Sequence, residues 1–236
     1  MNLTHPLPII NRLLAGMPAE EYQRFLSGLE LVQMTFGDVL HEAGDAIQYL
    51  YFPNDSVISL LAVADDRMTL EVGLVGSEGL IGIAVAMGID VSPVRALVQK
   101  TGTGMRIRSD SFRDQLSHSP GLQQELNHYS HGLLAQATQT AFCGHFHLLE
   151  ARLARSLLMT RERVKADEFH LTHEFLAQTL GVRRVGVTKA ASALQNRKLI
   201  TYARGNIKII DLEGLEAASC SCHQIMKAIG AEPSHH

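Results

Sequence analysis

Seven basic side chains crowd into residues 172–210 (Arg183, Arg184, Lys189, Arg197, Lys198, Arg204 and Lys208) against a single acid, Glu174. Arg183, Arg184, Thr188 and Lys189 fall at the start and on one face of a helical pattern, where their donors can meet base edges and phosphate oxygens. Two other groups have the residue types for metal or redox chemistry. Cys220-Ser221-Cys222-His223, with Cys143, offers ligands for a thiolate metal site or a redox pair, ordinary helix-end cysteines being the plainer reading. His145, His147 and Glu150 offer two imidazoles and a carboxylate, in a helical context where they diverge.

The basic cluster needs a rigid carrier, and residues 171–200 (LTHEFLAQTLGVRRVGVTKAASALQNRKLI) supply one. Thr172 caps a helix bearing Phe175, Leu176 and Leu180; Gly181 makes a sharp turn; Val182, Val187, Ala190, Ala191 and Leu194 line the buried side of a second helix. This is a helix-turn-helix with its basic face outward. Residues 199–202 and 206–210, joined around Arg204-Gly205, predict a two-stranded hairpin, or wing, on which Arg204 and Lys208 contact the phosphate backbone, and Thr172 at the start of the first helix is a further DNA-contact candidate. Basic residues on one helix usually form a solvated face. Turn, periodicity, wing and charge together point instead to double-stranded DNA.

Upstream, the apolar spacing over 9–30 predicts two short helices broken at Gly16-Met17-Pro18. From Leu31 to about Ile107, short apolar runs between turn residues predict an all-β barrel or double-sheet roll. Pro120 then opens a helix of about twenty residues, roughly 30 Å. Its narrow stripe of Leu122, Leu126, Tyr129, Leu133, Ala137 and Thr140 suits a seam between two copies, packing on the β module being the alternative. A further helix over about 145–164 turns Leu148, Leu149, Leu153, Leu157 and Leu158 inward, and 165–168 reads as a loop.

The 236 residues suffice for two modest domains. The net charge of −3 is a sum over unlike halves: residues 1–150 hold 8 bases and 16 acids, a net −8, and residues 151–236 hold 13 and 8, a net +5. Three cysteines are too few for a disulfide scaffold and fit a reducing cytoplasm. No signal-peptide pattern opens the sequence, and the longest apolar run, Gly79–Ile89, is about half of the ~20 residues a membrane span needs. His235-His236 has the look of a terminal tag.

A β-roll, a long helix and the winged-helix residues Leu171-Thr172-x-Glu174-Phe175-Leu176-Ala177-x-x-Leu180-Gly181-Val182-x-Arg184 together resemble the Crp/Fnr superfamily of bacterial transcription regulators. The resemblance implies an α+β chain: a cyclic-nucleotide-binding-like β-roll (a double-stranded β-helix or jelly roll) over 1–118, a dimerisation helix over 119–143, and a winged helix-turn-helix over 144–236. It also implies a non-enzymatic homodimer on near-palindromic DNA, with RNA polymerase as a further partner. The family's recognition helix commonly carries Arg-Glu-x-x-x-Arg; Arg184 and Lys189 match its two bases, and Val185 replaces its Glu. Valine cannot accept from cytosine N4 but packs on a thymine methyl, so the preferred site should differ.

The sensor half departs further. Gly82 and Arg95 match the phosphate-binding cassette of cyclic-nucleotide members, whereas Ile83 and Ala96 replace its Glu and its hydroxyl residue. Each lost polar contact costs about 1–3 kcal/mol, which argues against cyclic AMP. Residues 1–142 hold no cysteine, so a four-thiolate iron–sulfur cluster within the sensor is excluded. The effector stays unidentified, haem and a nucleotide second messenger being open; His41, His118, His128 and His131 are the haem-ligand candidates, each more simply a surface or structural histidine. The alternatives are a DNA-binding regulator with a ligand-free β-roll and, from another class, a cupin-type metalloenzyme using His145, His147 and Glu150.

Overall fold

A computed structural model describes residues 10–65 and 68–231; the His235-His236 pair lies outside them. Helices α1 (Arg12–Ala15) and α2 (Ala19–Leu26) are separated at Gly16-Met17-Pro18, where Pro18 takes φ −54° at the N-cap of α2. Seven strands follow: β1 (Glu30–Met34), β2 (Val39–His41), β3 (Tyr49–Pro53), β4 (Val57–Asp65), β5 (Met68–Val75), β6 (Arg95–Lys100) and β7 (Gly102–Arg108). They pair antiparallel into two sheets, β1-β7-β3 and β2-β6-β4-β5, as the turn spacing predicts. The apolar run after β5 folds into a 3₁₀ turn, Ile83–Met87, between Gly82 (φ +93°) and Gly88 (φ +79°). Both take the left-handed conformation that glycine adopts without a Cβ clash.

Alternation turns Leu50 and Phe52 of β3 into the roll. There Phe25 meets Phe52 and Phe112 edge-on, with ring centroids 5.9 and 6.1 Å apart. All three rings are fully buried. Phe25→Ala should therefore lower the unfolding free energy by about 3–5 kcal/mol, measured by denaturant titration of the two proteins.

After α3 (Ser109–Ser117), Pro120 opens α4 (Pro120–Phe146), with 27 residues. The helix is longer than the sequence pattern predicts, and the expected boundary at 143/144 falls inside it. The stripe assigned to a second copy is largely covered by the chain's own folds. Leu122 and Leu126 enter the Phe25 core. Tyr129 donates its hydroxyl to the Leu80 carbonyl at 2.9 Å, and Leu133 packs on the Met34–Ile58–Val75 cluster. Thr140 is buried and Ala137 half-buried. The apolar period revealed a buried face without saying which surface covers it.

Helix α5 (Leu149–Val164) begins after Leu148, which is 83% exposed at the N-cap instead of inward as expected. Beyond it lie β8 (Glu168–His170), α6 (His173–Leu180), α7 (Arg184–Asn196), β9 (Ile200–Ala203), β10 (Asn206–Ile209), α8 (Leu212–Ala218) and α9 (Cys222–Ala231). The wing has three strands, β8-β10-β9, rather than two. Glu168, expected in a loop, pairs with Lys208; a three-residue strand is too short to show alternation. Among the described residues no helix is long and apolar enough to cross a membrane.

Candidate nucleic-acid interface

Local chemistry builds the helix-turn-helix. The Thr172 hydroxyl accepts from the Phe175 N–H at 3.1 Å, capping α6. Gly181 ends α6 at φ +63°, and after Val182 the chain enters α7 with Arg183 as its N-cap. Val187, Ala190, Ala191 and Leu194 bury against α5, α6 and the wing. The other side of α7 is open: Arg183, Arg184, Val185, Thr188 and Lys189 are all exposed. Ser192 and Asn196 extend the same exposed side; Ser192 stands four residues after Thr188 and Asn196 four after Ser192, a helical spacing readable in the sequence although neither residue is charged.

Two rings that sequence reasoning missed fasten the wing to this surface. His173 of α6 stacks on Tyr202 of β9, centroids 4.2 Å apart and planes 15° from parallel. Burial, then the Arg184 charge, holds the His173 imidazole below its ordinary pKa, and burial raises that of Tyr202. The Thr188 hydroxyl lies 3.0 Å from His173 Nδ1 and 3.1 Å from the Arg184 carbonyl. It is therefore engaged within the protein. Arg204 (φ +50°) and Gly205 (φ +87°) make the tight β9–β10 turn, the two positive φ values that a two-residue hairpin turn of type I′ requires. This carries Arg204 to the wing tip, with Lys208 exposed along β10.

The β-roll touches the domain directly. The Thr69 hydroxyl of β5 donates to the Gln178 carbonyl of α6 at 2.9 Å, and the Phe36 ring lies 5.7 Å from that of Phe175. Glu78 accepts from Arg163 of α5 at 2.8 Å.

Of the cassette residues, Gly82 and Ile83 open the 3₁₀ turn and Arg95 and Ala96 open β6, and Arg95 is engaged: its Nε meets the Glu42 carboxylate at 2.7 Å. Ile83 is half-buried and Ala96 buried, and neither brings a polar group. A Cβ at Gly82 would lie 3.2 Å from His41, Ile47 and Leu50. Of the haem candidates, His41 is buried with Nε2 2.8 Å from the Tyr49 carbonyl, and burial lowers its pKa. His118 contacts Ser117 and the Asp114 carbonyl, and His128 and His131 are exposed on α4.

The cupin-like set comes apart. His145 is exposed beside the Phe146 ring, His147 turns toward Cys222, and Glu150 pairs with Arg197 at 2.7 Å. Cys143, Cys220 and Cys222 do converge, but His223 leaves them for Glu162, 3.0 Å away. Adjacency in sequence suggested His223; as the second residue of α9, it points to α5 instead.

Residues 151–218 match the family model of the Crp-like helix-turn-helix domain. No curated protein matches the chain. The fold is shared with a protein described as a Crp/Fnr-family transcriptional regulator from Eubacterium rectale, at 17% identity and TM-score 0.70, covering 90% of this chain and 97% of that one. The c-di-GMP-responsive global regulator CLP of Xanthomonas campestris aligns at 18% identity and TM-score 0.69, over 81% and 99%. A Crp/Fnr-family regulator of Thermus thermophilus aligns at 24% and 0.67, over 80% and 98%.

Proposed function

We propose, for a chain with a Crp-like helix-turn-helix domain on the Crp/Fnr regulator fold, that it is a sequence-specific, homodimeric transcription regulator. The observation that carries this reading is the exposed side of α7, with Arg183, Arg184, Val185 and Lys189 on a helix whose opposite side is locked into the domain core. The N-terminal turn of α7 reads base edges in the major groove, and Arg204 and Lys208 on the wing hold phosphates. Thr172 serves chiefly as the α6 cap. The β-roll, residues 1–118, supplies control, through the contacts of Thr69 and Phe36 with the helix-turn-helix and of Glu78 with Arg163 on α5. Cyclic AMP does not fit as effector, because Arg95 is held by Glu42 and Ile83 and Ala96 offer no side-chain hydrogen bond. RNA polymerase is the partner a DNA-bound regulator would address.

Selection from random duplexes should recover a near-palindromic site. Affinity for it should fall with salt at a log–log slope of roughly −0.9 per neutralised phosphate. Lys208→Ala should flatten that slope by about 1 while leaving the preferred sequence unchanged. Recovery of no site, or a slope indifferent to salt, would overturn the reading.

A further inference from the structure

The geometry points to a zinc site at the joint between the long helix and the helix-turn-helix domain, with Cys143, His147, Cys220 and Cys222 as its four ligands. Cys143 and His147 stand four residues apart, on the last turn and the C-cap of α4. Cys220 and Cys222 come from the link into α9. Their sulfur and nitrogen ligand atoms all lie within 4.8 Å of one another. Cys143 Sγ is 3.4 Å from Cys220 Sγ, and Cys222 Sγ is 3.4 Å from His147 Nδ1. A tetrahedral zinc with Zn–S of about 2.3 Å and Zn–N of about 2.0 Å sets S···S near ~3.8 Å and S···N near ~3.5 Å. Ligand atoms that lie within 4.8 Å of one another need to close by about 1 Å to complete the tetrahedron.

The donor set selects the metal. Three thiolates and an imidazole suit zinc and discriminate against magnesium and calcium, which require oxygen ligands. Four protein ligands leave no open position, as in structural rather than catalytic zinc sites. Binding releases the three thiol protons and leaves one net negative charge, which Arg155 can balance. That arginine is buried, its Nη1 touches the sulfurs of Met159 and Met226, and its Nε has no hydrogen-bond partner among the described residues. Outside the ligands, Gln139 Nε2 donates to Cys222 Sγ at 3.0 Å and so orients it. A Cys143–Cys220 disulfide would use two of the four groups and leave His147 and Cys222 unexplained. The metal would pin α9 to the α4–α5 joint, so the site is independent of whether the chain binds DNA.

The test is reconstitution of the full chain, reduced and stripped of metal, with zinc or cobalt(II), followed by elemental analysis and absorption spectroscopy. About one zinc per chain and a cobalt spectrum with thiolate charge-transfer and intense tetrahedral ligand-field bands are expected. Cys222→Ser should abolish the cobalt bands, and Gln139→Ala should weaken zinc binding about 10–100-fold. Replacing His235 and His236 by alanine should leave the stoichiometry unchanged. Three freely titrating thiols in the zinc-treated wild-type protein would overturn the proposal without recourse to a variant. So would a Cys143–Cys220 disulfide that re-forms in air and is unaffected by prior zinc loading.

Discussion

The double variant Leu134→Arg, Phe142→Arg should sediment as a monomer and bind a palindromic duplex about 10²–10⁴-fold more weakly than the parent, the range over which linking two binding modules raises avidity. The expectation comes from the side of α4 that the chain leaves uncovered. Leu134 is 67% exposed, Phe142 47% and Phe146 64%, and with Thr138 they follow one another at intervals of four. The rings of Phe142 and Phe146 lie 4.6 Å apart. A two-fold pair of such helices places like residues opposite like and buries both aromatic sets. It also sets the distance between two recognition helices, which must approach the ~34 Å separation of successive major grooves. Because both side chains are exposed in the single chain, the variant should keep its circular dichroism. A dimer that survives both substitutions would remove this seam.

Arg184→Ala should cost about 1–3 kcal/mol at the preferred site, or roughly 5- to 150-fold in affinity, and relax base preference at one position of each half-site. Arg184 is the first residue of α7, the end of a recognition helix that reaches base edges. Lysine there should recover part of the affinity and little of the preference, since an ammonium lacks the planar fork that grips guanine O6 and N7 together. Its neighbour provides a change of sign. Val185, 60% exposed, can pack on a thymine methyl, and Val185→Glu should shift the preference at that position toward cytosine by supplying an acceptor for N4. Competition binding with duplexes mutated one base pair at a time measures both. An affinity loss spread evenly over all sequences would make Arg184 a phosphate contact instead.

Much of the helix-turn-helix was legible in the sequence because its signals are local. A cap needs only Thr172 and the N–H three residues on, the turn needs only Gly181, and the buried side of α7 follows from helical period. The hydroxyl of Thr188 and the rings of His173 and Tyr202 were not legible. Their arrangement joins α6, α7 and β9, and no spacing within one element reports it. The third wing strand was missed for a related reason: Glu168–His170 becomes a strand only by pairing with β10.

The seam and the metal cluster show the same limit more sharply. Leu122, Leu126, Tyr129 and Leu133 announced a buried face; only the packing of α4 on the roll shows that the chain itself covers it and leaves Leu134 and Phe142 exposed. Cys220 and Cys222 announced ligands, but His223 beside them was the wrong imidazole and His147, some seventy residues earlier, the right one. The amino-acid sequence by itself determined the β-roll, the long helix, the helix-turn-helix and the charge split between an acidic half and a basic one. Those properties arise from short-range periodicity, turn chemistry and composition. Tertiary structure decided which apolar stripe is covered by the chain itself and which four side chains converge at the joint. Both depend on surfaces brought together across long stretches of chain, and neither surface carries a mark of its partner in its own sequence.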